Sequence, residues 1–263
     1  MDTGGLLWLY DNIDVFLLVM IRLVGFFVIL PVFAGSNIPT AVRVGAAFLI
    51  AAAVFAKAEA GADIAGAAAI EYAVIALKEF AVGFCMAFAV YAVFSAFYLI
   101  GQLADFQIGF SMVSVFDPGS SIQVPITGNL FYLMVLAFFI ETGGLGGVIR
   151  AVAESFSVLP IGSADIIGNG RLLETAVSVT SHFLVFGVRA SLPVVGTVFI
   201  VDIALGLLTK AVPQMNVFVV GMPIKLMAGL AVLYLVMPAF YGLYQSAYDS
   251  AMNYMARMLR GLM

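Results

Sequence analysis

Between Glu71 and Asp105 the sequence runs without a proline and with only Lys78 and Glu79 charged inside it. A helix rises about 1.5 Å per residue, so this stretch spans roughly 50 Å, whereas the hydrocarbon core of a bilayer is about 30 Å thick. The mismatch leaves three outcomes: strong tilt, a break at Gly83 or Gly101, or a helix that protrudes from the membrane. No soluble reading accommodates it. Of the 263 residues 64% are hydrophobic and 10% charged, against about 45–50% and about 25% in ordinary globular domains. The polar residues could not cover a water-facing surface.

The other apolar blocks fit the same class. Ile13 to Ala34, interrupted by Arg22 and closed near Pro31, is followed by the turn Gly35 to Pro39 and by Val42 to Ala56, which predicts a helical hairpin. Lys57 to Ala69 is a polar connection. Gly101 to Asn129 mixes polar, aromatic and turn-forming residues and reads as the least helical part. Asn129 to Ile140 resumes the pattern, Glu141 to Gly147 interrupts it with glycines, and Val148 to Leu159 follows, ended by Pro160 and Gly162. After a polar loop, Leu172 to Thr209 is a long run with a kink expected at Pro193. Pro213 and Pro223 bracket an expected helix-to-helix turn before Ile224 to Tyr244.

The whole chain, 1–263, reads as one all-α, multi-pass unit with a C-terminal hairpin over 172–245. In the tail, 246–263, Asp249, Asn253, Arg257 and Arg260 fall on one helical face, and Tyr248, Met252, Met255, Leu259 and Leu262 on another. The opening MDTGGLLWLYDNID is acidic where a secretory signal is basic, so it is expected to be retained. Lys and Arg are spread evenly among the loops; Arg257 and Arg260 alone favour a cytoplasmic C-terminus.

With 15 acidic and 11 basic residues the net charge is −4, and no stretch carries the dense positive field that nucleic acid needs. The single cysteine, Cys85, excludes an internal disulfide and a cysteine metal site and reads as core packing. His182 has no second histidine or suitably spaced carboxylate, so no metal is expected; Ser181 beside it points elsewhere on a helix and is no catalytic pair. The glycines from Gly143 to Gly147 lack the flanking strand and lysine of a phosphate loop and read as close packing or a hinge. Neither a catalytic constellation nor a cofactor site can be assembled.

Charges inside apolar helices mark a pathway or a pair. Arg22, Lys78, Glu79, Arg189 and Asp202 are therefore candidates, with pairing inside the bundle or to a partner as the plainer reading. Phe106 to Phe116 places aromatic and Met side chains on a glycine-containing segment. Two readings stand there: a hydrophobic seal that closes a channel by dewetting and parts readily, or ordinary packing at a helix end.

Specific wording then appears. Asp117-Pro118 followed by Gln123-Val124-Pro125 and, far downstream, Pro213-Gln214-Met215-Asn216-Val217-Phe218 with Pro223 and Lys225 resemble the FliR/SctT export-gate family of type III secretion systems. Arg22 with Pro31, Pro39 with Arg43, and Ser155 to Gly162 agree in order and spacing, so the resemblance covers nearly the whole chain. Where members of that family often carry Gly-His after the fourth apolar block, this chain has Gly144-Leu145. The resemblance implies a subunit of the flagellar export gate in the bacterial inner membrane, at the flagellar basal body. Its implied partners are FliP-like, FliQ-like and FlhB-like subunits, membrane lipid and exported unfolded flagellar proteins. It implies a FliP-like N-terminal part joined to a FliQ-like hairpin, partly lifted out of the bilayer, which would account for the overlong helix. It also implies that Phe106, Phe110, Met112 and Phe116 plug the closed pore. Asp117, Pro118, Gln123, Pro125, Pro213, Gln214, Asn216, Pro223 and Lys225 would serve structure or partner contact.

Two competing functions remain at this level. The homologous injectisome subunit shares fold and mechanism but serves other cargo. A secondary transporter would instead bind substrate or coupling ion with Arg22, Arg189 and Asp202, buried near the midplane. An intramembrane enzyme is the weakest alternative.

Overall fold

The computed structural model describes residues 13–34, 39–55, 68–110, 125–166, 170–214 and 216–263. Every element of secondary structure among them is a helix: α1 (Ile13–Ile29), the short α2 (Pro31–Ala34), α3 (Thr40–Val54), α4 (Ala69–Ile108), α5 (Ile126–Glu141), α6 (Gly144–Val158), α7 (Gly170–Ala211), α8 (Val217–Val236) and α9 (Phe240–Gly261), with a 3-10 turn at Met237–Ala239. Among the described residues three helical stretches are long and apolar enough to cross a membrane: α4, α7, and α8 with α9. The broken pair α5 and α6 makes a fourth if counted as one span. The chain is thus an all-α protein of multi-pass membrane type.

Several boundaries differ from the sequence reading. α4 is a single helix of 40 residues, so neither Gly83 nor Gly101 breaks it, and it continues through Gly101–Ile108, where little helix was expected. Tertiary partners hold those last turns, as described below. Pro193, where a kink is expected, lies inside α7 and does not end it. The expected turn from Pro213 to Pro223 is shorter, because α8 begins at Val217 and contains Pro223. Asn216 Oδ1 accepts from the Phe218 and Val219 amides at 3.1 and 3.4 Å and fixes that start. An interior proline forfeits one helical hydrogen bond, here to the Val219 carbonyl, but its φ suits a helix. The glycines after Gly143 also lie inside α6, where Tyr248 Oη fills the space at Gly147 and donates to the Gly144 carbonyl.

The chain divides into two compact units. The first draws on 1–92, 142–180 and 248–263. There α1 and α3 form the expected hairpin, with the Phe16 ring edge-on to Phe48 and Phe55 at 5.6 and 5.5 Å. α1 and α4 cross backbone to backbone: a methyl group at Gly25 would strike the Phe80 carbonyl, and one at Gly83 the Arg22 carbonyl. Only glycine permits that approach. In the tail Ala251, Met255, Met258 and Leu262 are buried while Asp249, Asn253, Arg257 and Arg260 are exposed. Cys85 is half-buried and lines an apolar cavity of about 310 Å³ with Phe84, Phe88, Leu172 and Met258.

The second unit draws on 93–141 and 181–247. Its core is aromatic, with Phe97 against Phe186 and Phe240 at 5.7 and 5.0 Å and Phe94 against Phe139 at 5.6 Å. A second cluster joins Ala104 and Ile108 of α4 to Val194 and Val198 of α7. His182 is exposed with its ring edge-on to Phe183. Arg189, expected to be buried, is exposed, because it falls on the outward face of α7.

Candidate functional site

The C-terminal turns of α4 lead directly into the segment singled out as a seal. Contacts from α5, α7 and α8 secure them. Asp105 is 2% exposed, and its carboxylate accepts from the Thr127 amide at 3.2 and 2.9 Å and from the Gly128 amide at 3.4 Å. It therefore caps α5 from another helix, satisfying amides that the first turn of a helix leaves unpaired. The helix dipole favours negative charge there as well. Gly101 lies against the backbone of Thr127 and Gly128 so closely that a methyl group would not fit.

On the hairpin side, Gln107 Nε2 donates to Asp202 Oδ2 at 3.4 Å. Asp202 Oδ1 is in turn ion-paired with Lys225 of α8. Ile108 fills the space over Gly229, and Phe110 packs against the cluster of Ala104, Ile108, Val194 and Val198 alongside Leu226, Val232 and Leu233. Phe106 does the opposite: it is 72% exposed. The arrangement holds a backbone root through a cap, an ion pair, an amide contact and apolar packing, and it presents one aromatic ring outward.

The proposed residues thus separate into groups. Phe110, Asp202 and Lys225 are brought together around the end of α4. Pro125 is half-buried just before α5, and its carbonyl accepts from Asn129 at 2.9 Å. Pro213 and Gln214 form the exposed turn after α7, Asn216 is the α8 cap, and Pro223 is exposed within α8. Met112, Phe116, Asp117, Pro118 and Gln123 lie outside the described residues. Asp105 and Gln107 also belong to this site, and the sequence alone does not mark them. Their partners lie 22 and 95 residues away, a separation that carries no local signal.

Arg22 belongs to a different site, in the first unit. It is fully buried with Glu79: Nε to Oε2 is 2.6 Å. Nη1 donates to Ser155 Oγ at 3.2 Å and Nη2 to the Leu159 carbonyl at 3.1 Å, and the guanidinium carbon sits 4.2 Å from the Phe156 ring centroid. Glu79 Oε1 accepts from the Gly162 amide at 2.9 Å. Pairing and full hydrogen bonding are what a buried charge requires. The planar guanidinium supplies several donors at fixed angles, so one side chain ties α1 to α4 and to the end of α6.

Comparison with known proteins places these features in a family. The sequence model for Bacterial export proteins, family 1, matches residues 13–251. The flagellar biosynthetic protein FliR of Bacillus subtilis (strain 168) is 30% identical over 250 residues, covering 95% of this chain and 96% of its own. FliR of Aquifex aeolicus (strain VF5) is 30% identical and covers 84% of each chain. The surface presentation of antigens protein SpaR of Shigella flexneri is 23% identical over 88% of this chain and 90% of its own. A family match along nearly the whole described sequence, supported by relatives at this identity, shows that the chain belongs to the bacterial export proteins, family 1, the FliR/SctT family of export-gate proteins.

Proposed function

We propose that this protein is a subunit of the flagellar type III export gate, forming part of the conduit through which unfolded flagellar proteins leave the cytoplasm. The observation that carries the reading is the 30% identity to a flagellar FliR over 95% of the chain. In this reading the chain works in the bacterial inner membrane at the flagellar basal body and is no enzyme. It assembles with FliP-like and FliQ-like subunits and contacts an FlhB-like subunit, α7 and α8 acting as a FliQ-like hairpin joined to a FliP-like part. The low burial of the apolar windows of α7 and of α8 with α9, 17% in each, supports partners or lipid covering them.

Phe106 and Phe110, with Met112 and Phe116, then seal the closed pore, while Asp105, Gln107, Asp202 and Lys225 hold the root of that seal. Asp117, Pro118, Gln123 and Pro125 keep the structural role, and Pro213, Gln214, Asn216, Pro223 and Lys225 a contact role near partners. Deleting the gene should abolish motility, and the wild-type gene should restore it. Replacing Phe106, Phe110, Met112 and Phe116 by alanine should raise ion leakage through an assembled gate; unchanged leakage would remove the plug role. Undiminished capture of FliQ-like and FlhB-like proteins by N216A and K225A variants would leave the α7–α8 turn purely structural.

The likeness to SpaR favours an injectisome role as the second reading, which secretion of flagellar as against virulence cargo separates. A transporter built on Arg22, Arg189 and Asp202 gains no support: Arg22 is committed to Glu79, Ser155 and Leu159, Asp202 to Lys225 and Gln107, and Arg189 is exposed.

A further inference from the structure

We propose that a groove between the first turns of α7 and the last turns of α9 binds the phosphate headgroup of an anionic phospholipid. The groove, about 450 Å³, is lined by Arg171, Arg257 and Arg260, with Glu174 as its one acidic group and Ser178 and Tyr254 beside them. Arg257 and Arg260 of α9 against the Glu174 carboxylate leave net positive charge in a concave space. Guanidinium forks match phosphate oxygens in pairs.

The walls are firm where the two helices meet. The Gly261 position lies within van der Waals reach of the Arg171 and Leu172 backbone, a Cβ there standing 3.6 Å away. Arg257 rests over the Tyr254 ring at 5.4 Å, which orients the guanidinium while leaving its N–H edge for a ligand. Thr175 Oγ1 donates to the Arg171 carbonyl at 2.8 Å, so it offers a phosphate no proton, and Arg257 and Arg260 with Ser178 supply the donors.

The neighbouring surface decides between a lipid and a free anion. In the same turns of α7, Leu173 and Val177 are 70% and 60% exposed, and α7 is one of the helices apolar enough to enter a membrane. An aqueous anion leaves those side chains in water, whereas a phospholipid covers them with its acyl chain. Basic pockets between membrane helices suit such headgroups.

The test uses the full-length protein in detergent, given an equimolar mixture of phosphatidylglycerol and phosphatidylcholine, with retained lipid counted by native mass spectrometry. Wild type should retain phosphatidylglycerol selectively. R257Q/R260Q should lose about fivefold in selectivity per arginine, R257K/R260K should keep most of it, and R150Q, an exposed arginine of α6, should match wild type. Excess inorganic phosphate should displace little of the lipid. Equal retention of both lipids by wild type would leave the groove to a protein partner and overturn the assignment. Unchanged selectivity in R257Q/R260Q, an equal loss in R150Q, or full displacement by phosphate would overturn it too.

Discussion

The two charge pairs, one in each compact unit, are built from the same chemistry and placed in opposite settings. Arg22 and Glu79 are both 0% exposed, whereas the Lys225 and Asp202 side chains are 29% and 34% exposed. The first has no solvent to fall back on, and each guanidinium nitrogen and each carboxylate oxygen has a protein partner. The second sits where solvent or a neighbouring molecule can replace one member. A buried pair contributes little net stability over an apolar substitute, yet it penalises any structure that separates it. A half-exposed pair is weak in energy, and its value is positional. The comparison teaches that the first pair specifies one packing of α1, α4 and α6, while the second only biases how α7 and α8 hold the end of α4.

Breaking this contrast should give effects of descending size. R22A leaves the Glu79 carboxylate buried without its partner, and thermal unfolding in detergent should show a loss of about 3–5 kcal/mol. An apolar double replacement, R22M/E79L, should recover most of that loss. A recovery no better than R22A would mean that the pair contributes more than mutual neutralisation. D105A removes the acceptor for two buried amides of α5 and should cost about 1–3 kcal/mol. D105N keeps one acceptor oxygen and should cost less in the same measurement. N216A, which strips the cap of α8, should cost about 1 kcal/mol; the faster hydrogen exchange should be confined to the first turn of α8.

D202A and K225A come last, at no more than about 1 kcal/mol each. If either proved as damaging as R22A, the half-exposed pair would be a structural lock, and the contrast between the units would fail.

Much of the fold was legible because its signals are local. Apolar run length gave the overlong α4, Pro31 closed the first block, and the interruption read over Glu141 to Gly147 after the fourth block is a break at Thr142 and Gly143 alone. The failures share one cause. Pro223 and the glycines Gly144, Gly146 and Gly147 are breakers by local rule, but the Asn216 cap and Tyr248 hold helix around them. Arg189 shows the same limit from the other side: an arginine in an apolar run is recognisable, while the face it occupies depends on how α7 is rotated. The Phe106 to Phe116 segment was recognisable as unusual, and its anchoring by Asp105 was not.

The sequence by itself determined a multi-helix membrane protein and its family, because apolar run length and motif order are properties of the chain read in line. Only the tertiary structure decided that Arg22 pairs with Glu79 across 57 positions, that Asp105 caps a helix it does not belong to, and that three arginines from two distant helices share one groove. Desolvation, capping and charge focusing act between groups close in space, and the linear sequence does not say which those are.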